Sequence, residues 1–285
     1  DGTFSVTSPV AVPAWESGSL VAALEGHPAL DADGNGTIDR IAVTNAFKYA
    51  GITDATAVPR RQKVDIVKCD ECHKQLSLHG NNRTDKPEVC VTCHNPNATD
   101  ITKRVAGSGC ETVTGTLDDQ SIDMKYMVHR IHASGETGVP YGVCGFGNSG
   151  YLFDVTYVGK INNCEGCHVP STSTVPAGYY PVDSLSVAGT TFDANSLATF
   201  NDDAVTSPNA AVCSSCHMDP LVLEHMKQNG SYFKQIGMKD AVTGKMLPGG
   251  SIETCSLCHG PGSVADLRDA HGIGAFEVYN VRDND

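Results

Sequence analysis

The pattern Cys-x-x-Cys-His occurs five times in this chain of 285 residues: at Cys69, Cys72 and His73; Cys90, Cys93 and His94; Cys164, Cys167 and His168; Cys213, Cys216 and His217; and Cys255, Cys258 and His259. Two thiols at this spacing add to the two vinyl groups of one porphyrin, and the adjoining histidine reaches the iron. A lone Cys-x-x-Cys can equally be half a zinc site or a redox dithiol. Neither use calls for a histidine after every second cysteine, and here no copy is degenerate. The repetition predicts five covalent c-type haems. Five porphyrins also limit the fold, because they supply an apolar centre that the polypeptide has only to wrap. The expected class is a multihaem c-type cytochrome, mostly irregular, with a few short α-helices around a haem core and a small N-terminal β segment. Removing the haems should collapse it.

Ten of the twelve cysteines serve the motifs, leaving Cys110 and Cys144. Covalent haem attachment takes place outside the cytoplasm, where disulfides persist, so this even remainder is expected to form a bridge. Two buried free thiols are the alternative. The formal net charge is −13, and haem propionates would make it more negative, which argues against nucleic acid and anionic lipid as partners. No apolar run is long enough to span a bilayer, and no signal peptide precedes Asp1. Either an export signal has been removed or the sequence is part of a longer chain.

Residues 1–66 hold no haem motif and differ from the pentahaem region expected over 67–285. Short β-branched runs at Phe4–Val12, Thr37–Val43 and Gln62–Val67, bounded by Pro, Gly and Asp, suggest strands. They are too few for a self-sufficient sheet, so the segment reads as part of a β domain or as an arm that pairs with another chain. Within it, Asp31, Asp33, Asn35 and Asp39 follow the alternate-residue spacing of a calcium loop with Gly36 at the sixth position, but Ala42 replaces the bidentate Glu at the twelfth. A calcium ion and a plain Asp/Asn/Gly turn both fit this pattern.

The clearest helix carries Met124, Met127, Val128 and Ile131 at i, i+3, i+4 and i+7, with Gly135 as its expected stop. His129 and His132 flank that stripe. They lie about one turn apart and point in similar directions, so they cannot grip one iron from opposite sides, and each should approach a different haem. Such a helix would clamp two haems together. Tyr151–Ile161 looks like a strand, and residues 170–208, rich in Ser, Thr, Pro and Ala, read as a long surface excursion. Asp219-Pro220 starts a short helix bearing His225, and Ser263–Gly272 another bearing His271.

Eleven histidines include the five motif histidines and six others: His27, His79, His129, His132, His225 and His271. Only His27 lies outside the haem-bearing region, so five candidates match five irons. Bis-histidine coordination leaves no open position, and the chemistry expected is electron transfer. His27 sits in a Gly-His-Pro turn and is expected to be structural, with capping of a neighbouring subunit's haem as the other reading.

The stretches GHPALDADGNG, VDIVKCDECHKQLSLHGNNRTDKPEVCVTCHNPNATD, MVHRIHASGE, YGVCGFGNSGYLFDVTY, CSSCHMDPLVLEHMKQNGSYF and ETCSLCHGPGSVADLRDAHG extend across most of residues 25–272. In combination they resemble a pentahaem module of the outer-membrane decahaem c-type cytochromes of metal-respiring bacteria, the OmcA/MtrC type. The resemblance implies a location that is extracellular or on the outer face of the outer membrane. It implies electron transfer to metal oxides, electrodes, soluble metal complexes or flavins, and exchange with other multihaem cytochromes. It also places His79, His129, His132, His225 and His271 at the distal-ligand positions. The family's usual chain alternates two β domains with two pentahaem domains, whereas this one has a single set. Two other functions stay open. A multihaem reductase would need one open iron, and the lysine-bearing motif of the nitrite enzymes is absent. A haem-lined filament of copies of this chain would give the short β segment a partner.

Overall fold

The computed structural model describes residues 5–115, 118–172, 176–192, 194, 199–247 and 252–273. The chain divides into two compact units, one of Asp1–Arg61 with Gln75–Thr92 and the other of Gln62–Lys74 with Cys93–Asp285. Residues 75–92 group with the N-terminal segment. Hydrogen bonds account for this. Asn45 takes the Thr84 amide on its Oδ1 at 2.5 Å and gives its Nδ2 to the Asn82 carbonyl at 2.9 Å. Gly26 donates its amide to the same carbonyl at 3.0 Å, and Arg83 pairs with Glu25 at 2.6 Å.

The first unit consists of three antiparallel strand pairs. Strand β1 (Ser19–Leu24) pairs with β4 (Ala46–Gly51), β2 (Ala29–Leu30) with β3 (Asp39–Arg40), and β5 (Ser77–Leu78) with β6 (Arg83–Thr84). Of the expected strands, residues 5–12 form none, and only Asp39–Arg40 of the 37–43 run is extended in a ladder. Residue 4 lies outside the described residues. The run at 62–67 is overridden by a helix start. Asp65 accepts the Val67 amide at 3.0 Å and caps α1 (Ile66–His73), which carries the first motif. Helix α2 (Pro87–Cys93) carries the second motif and contains the boundary between the units.

In the second unit, α3 (Cys110–Thr114) and the strand pair β7 (Tyr141–Cys144) and β8 (Gly150–Phe153) pack around one buried ion pair, and the long helix α4 (Met124–Thr137) packs on β7. The structure joins Cys110 to Cys144 in a disulfide here. Asp100 takes Arg104 in a fork at 2.8–3.0 Å, the Gln120 amide at 2.8 Å and the Cys144 amide at 2.7 Å. Arg104 also donates to Thr114 at 3.0 Å and to the Gly142 carbonyl at 3.3 Å. Helix α4 runs past its expected stop. Gly135 stays helical and is glycine because the Val155 carbonyl lies where a side chain would be, and the helix ends instead at Gly138, with φ +65°.

The stretch 170–208 is not the surface excursion its composition suggests. Thr190–Phe192 (β9) and Ala204–Thr206 (β10) form a buried ladder, and Thr190, Thr191, Val205 and Ser207 are all fully enclosed. Lys239 is buried against them and pairs with Asp203 at 2.8 Å while also donating to Thr191. Three-residue strands buried by their neighbours leave no periodic signal. Helices α5 (Pro208–Cys213), α6 (Pro220–Gln228), α7 (Cys255–His259) and α8 (Leu267–Ala270) complete the unit. No helix among the described residues is long and apolar enough to cross a membrane.

Both partners of the Asp100–Arg104 pair have side chains 1 % exposed, so Arg104→Met leaves a buried carboxylate without its cation. The expected loss is about 3–5 kcal/mol, read as a lower denaturant midpoint. The Asp100→Asn, Arg104→Met double variant should recover part of it.

Candidate functional site

The histidines of the second unit meet in pairs. His73, at the end of α1, faces His132 of α4 with ring centres 6.1 Å apart. His168 faces His129 at 5.9 Å, His217 faces His271 at 5.9 Å, and His259 faces His225 at 6.3 Å. Each pair joins one motif histidine to one of the other candidates. A metal–imidazole bond of about 2.0–2.1 Å and roughly 1.1 Å from ring nitrogen to ring centre, taken twice, give about 6.2–6.4 Å. The observed separations of 5.9–6.3 Å lie within or just below that span, close to what a metal ion between the two rings requires.

The chemistry of the donors matches as well. In six rings Nδ1 lies against a backbone carbonyl: His94 on Ile122 at 2.8 Å, His129 on Lys125 at 2.5 Å, His132 on Val128 at 2.8 Å, His168 on Lys63 at 3.1 Å, His259 on Ala265 at 3.0 Å and His271 on Leu267 at 2.9 Å. A carbonyl can only accept, so Nδ1 must carry the proton and Nε2 keeps the lone pair that binds metal. Burial favours the neutral ring. It holds His129 and His217 below the ordinary histidine range and, aided by the facing His129, pushes His168 down to about 4.

Local structure explains why the rings converge. The segment 63–65 is shared between the first and third motifs: Asp65 donates its amide to the Cys167 carbonyl at 3.0 Å, Val169 donates to the Lys63 carbonyl at 3.1 Å, and Lys68 reaches the Glu165 carbonyl at 2.6 Å. Across this junction lies α4, where His129 and His132, three residues apart, serve different partners. The same helix touches the fourth motif, since buried Arg130 donates to the Ser215 carbonyl at 3.2 Å and to that of Val139 at 3.0 Å.

For the last motif the fit depends on a seam between α6 and α7. Asp219 caps α6 through the Leu221 amide at 2.8 Å, which sets the helix bearing His225. Thr254 donates its amide to the Asn229 carbonyl at 3.0 Å, and Gly230, at φ +89°, lies directly against the Ile252 carbonyl. His271 follows α8, capped by Asp266 through the Arg268 amide at 2.8 Å.

His79 and His94 are the two candidates left after these four pairs. His79 sits in the turn between β5 and β6 at φ +55°, and His94 follows α2. His27 is not drawn into any of the described ring pairs, and its Nδ1 lies 2.6 Å from Asn82 Oδ1. In the loop at 31–39, carboxylate oxygens of Asp31, Asp33 and Asp39 lie within 4.8 Å of one another. Asn35 does not point its oxygen with them, since that atom takes the Thr37 amide at 2.7 Å. The carbonyls behind the imidazoles and the carboxylate of Glu253, described below, had no counterpart in the motif reading. Only the i−4 spacing of Lys125, Val128 and Leu267 from their histidines offered a signal.

Paired imidazoles beside repeated Cys-x-x-Cys-His motifs define a c-type cytochrome of the multihaem class. Residues 61–272 match the family model for outer membrane cytochrome MtrC/MtrF-like domains II/IV, and the chain belongs to that family. Among solved structures it is similar to the crystal structure of the outer membrane decaheme cytochrome OmcA, with 17 % identity and a TM-score of 0.48, over 93 % of this chain and 36 % of that one. The chain thus spans about a third of that protein's length. No curated protein matches it.

Gly230→Ala should cost at least about 1 kcal/mol from the backbone alone, and more from the clash with the Ile252 carbonyl. A lowered thermal midpoint relative to the parent protein is the measurement.

Proposed function

We propose that this chain is a pentahaem electron-transfer module that works outside the cell, at or near the outer membrane, and passes electrons to external acceptors or to neighbouring multihaem cytochromes. The observation that carries the reading is the set of four facing imidazole pairs. In this reading His73 and His132, His168 and His129, His217 and His271, and His259 and His225 hold one iron each, with attachment through Cys69 and Cys72, Cys164 and Cys167, Cys213 and Cys216, and Cys255 and Cys258. Cys90, Cys93 and His94 attach a fifth, and His79 is the one distal candidate left by the count. Haem bound in this way supplies a one-electron iron couple with no free coordination position. The chain's task is to orient the rings, keep their Nε2 atoms unprotonated and hold neighbouring motifs together. The Asp65 amide on the Cys167 carbonyl, Asn162 on the carbonyl of His271 at 3.0 Å, and Glu253 on Ser207 and Asn209 support the order first, third, fourth, fifth motif along the molecule.

Saturated coordination favours outer-sphere transfer over bond chemistry. Metal oxides, electrodes and flavins are accordingly proposed acceptors, as are other cytochromes or further copies of this chain. The purified protein should contain five haems per chain with a fully low-spin spectrum. A high-spin component in the resting protein would instead indicate the reductase reading. His129→Met should raise the potential of the haem at Cys164–His168, and His132→Met that of the haem at Cys69–His73, without loss of attachment. Spectroscopic redox titration of each variant checks this, and unchanged spectra in both would remove the clamp role of α4.

We also propose that Asp31, Asp33 and Asp39 take a calcium ion. Their convergence supports it, and Ala42 in place of the bidentate Glu predicts weak binding, of about 0.1–1 mM. Calorimetric titration with calcium should give a one-site isotherm in that range. A flat titration would leave a turn held by its own amides.

A further inference from the structure

Glu253 is 5 % exposed, and its carboxylate accepts five hydrogen bonds. Oε1 takes the hydroxyls of Ser207 at 2.6 Å and Ser231 at 3.0 Å and the Ala210 amide at 2.8 Å. Oε2 takes the backbone and side-chain N–H groups of Asn209, both at 2.9 Å. Three of the five partners are N–H groups that can only donate, and none of the five is a cation. Five good bonds make this buried charge tolerable without neutralising it.

Its position couples two motifs. Residues 207–210 open α5, which ends at Cys213, while Glu253 itself lies two residues before Cys255. Asn209 additionally exchanges hydrogen bonds with the main chain of Val182 at 2.9 Å, and the Glu253 amide donates to Ser184 at 3.0 Å. The fourth and fifth motifs are therefore held at fixed spacing by one charged group. We propose that Glu253 is a positioning residue whose carboxylate, set between the Cys213 and Cys255 attachment points, stabilises the oxidised form of the two haems bound there. The idea rests on the reading that these motifs carry haem. Burial pushes the Cys213 thiol up to about 12, with Cys255 and then Glu253 adding to it, and pushes the Cys255 thiol up to about 11, with Glu253 adding to it.

The test compares the intact protein with Glu253→Gln and Glu253→Asp by spectroelectrochemical titration, with haem-to-protein ratio and thermal midpoint measured on the same samples. Removing the charge should raise the reduction equilibrium constant of two of the five haems on the order of tenfold, a shift of about +59 mV for a one-electron couple. The Asp variant keeps the charge. It should lose thermal stability while its potentials stay close to those of the parent. Equal shifts in both variants would mean that displacement, and not charge, moves the haems, and would overturn the proposal. So would five bound haems whose potentials do not move in the Gln variant, and that result would leave the five-haem reading intact. An unmodified protein without haem at Cys213 or Cys255 would overturn both. If the Gln variant does not accumulate, Ser231→Ala carries the test. It withdraws one donor and leaves the charge, so the same two haems should move to lower potential, and a move upward or no move overturns the role.

Discussion

A carbonyl oxygen held behind an imidazole is the contact on which this molecule depends. It accepts the Nδ1 proton, fixes the plane of the ring and leaves Nε2 as the only free lone pair. In His129, His132 and His271 the carbonyl belongs to the preceding turn of the same or adjoining helix, so a short α-helix is already a ring holder. In His168 it is supplied from far along the chain, by Lys63. A local device can be copied wherever a helix is available. The long-range version also brings the first motif beside the third.

What holds the ring holders is largely polar. The Asp100–Arg104 fork, the Lys239–Asp203 pair and the Glu253 carboxylate are all buried and are each met by several partners. Apolar packing is non-directional and leaves neighbouring elements some freedom to slide. Charge-assisted hydrogen bonds are short and oriented, so they set a distance. The four ring pairs fall between 5.9 and 6.3 Å even though none of the helices presenting them exceeds 14 residues.

Much of the site could be read from the residues in order. Cys-x-x-Cys-His is a covalent requirement confined to five consecutive residues, and the apolar stripe of α4 shows directly that His129 and His132 belong to one helix and cannot share a metal. The fold was less legible, for identifiable reasons. Residues 5–12 have strand-like composition but no partner strand, whereas Ser19–Leu24 and Ala46–Gly51 pair despite ordinary composition. Thr190–Phe192 and Ala204–Thr206 read as loop because the groups that bury them come from distant segments. Gly135 resembles a helix stop, but the Val155 carbonyl uses it as a point of close approach. The β5–β6 hairpin groups with the N-terminal segment because Asn45 and Glu25 recruit it through hydrogen bonds that composition does not encode.

These two kinds of information differ in what they specify. The motifs say which residues bind, and helix periodicity says which of them share a face. Neither gives the spacing between one binding group and the next, which depends on residues such as Asp65, Arg130 and Glu253 that join one motif's backbone to another's. Each of these sits within or just outside a motif or a histidine-bearing helix, yet binds a segment far away in the chain. Outer-sphere electron transfer falls steeply with separation, so in a module of this class these connecting side chains bear on function as directly as the ligands do. Substitutions among them should therefore alter the coupling between neighbouring centres while leaving every Cys-x-x-Cys-His motif untouched.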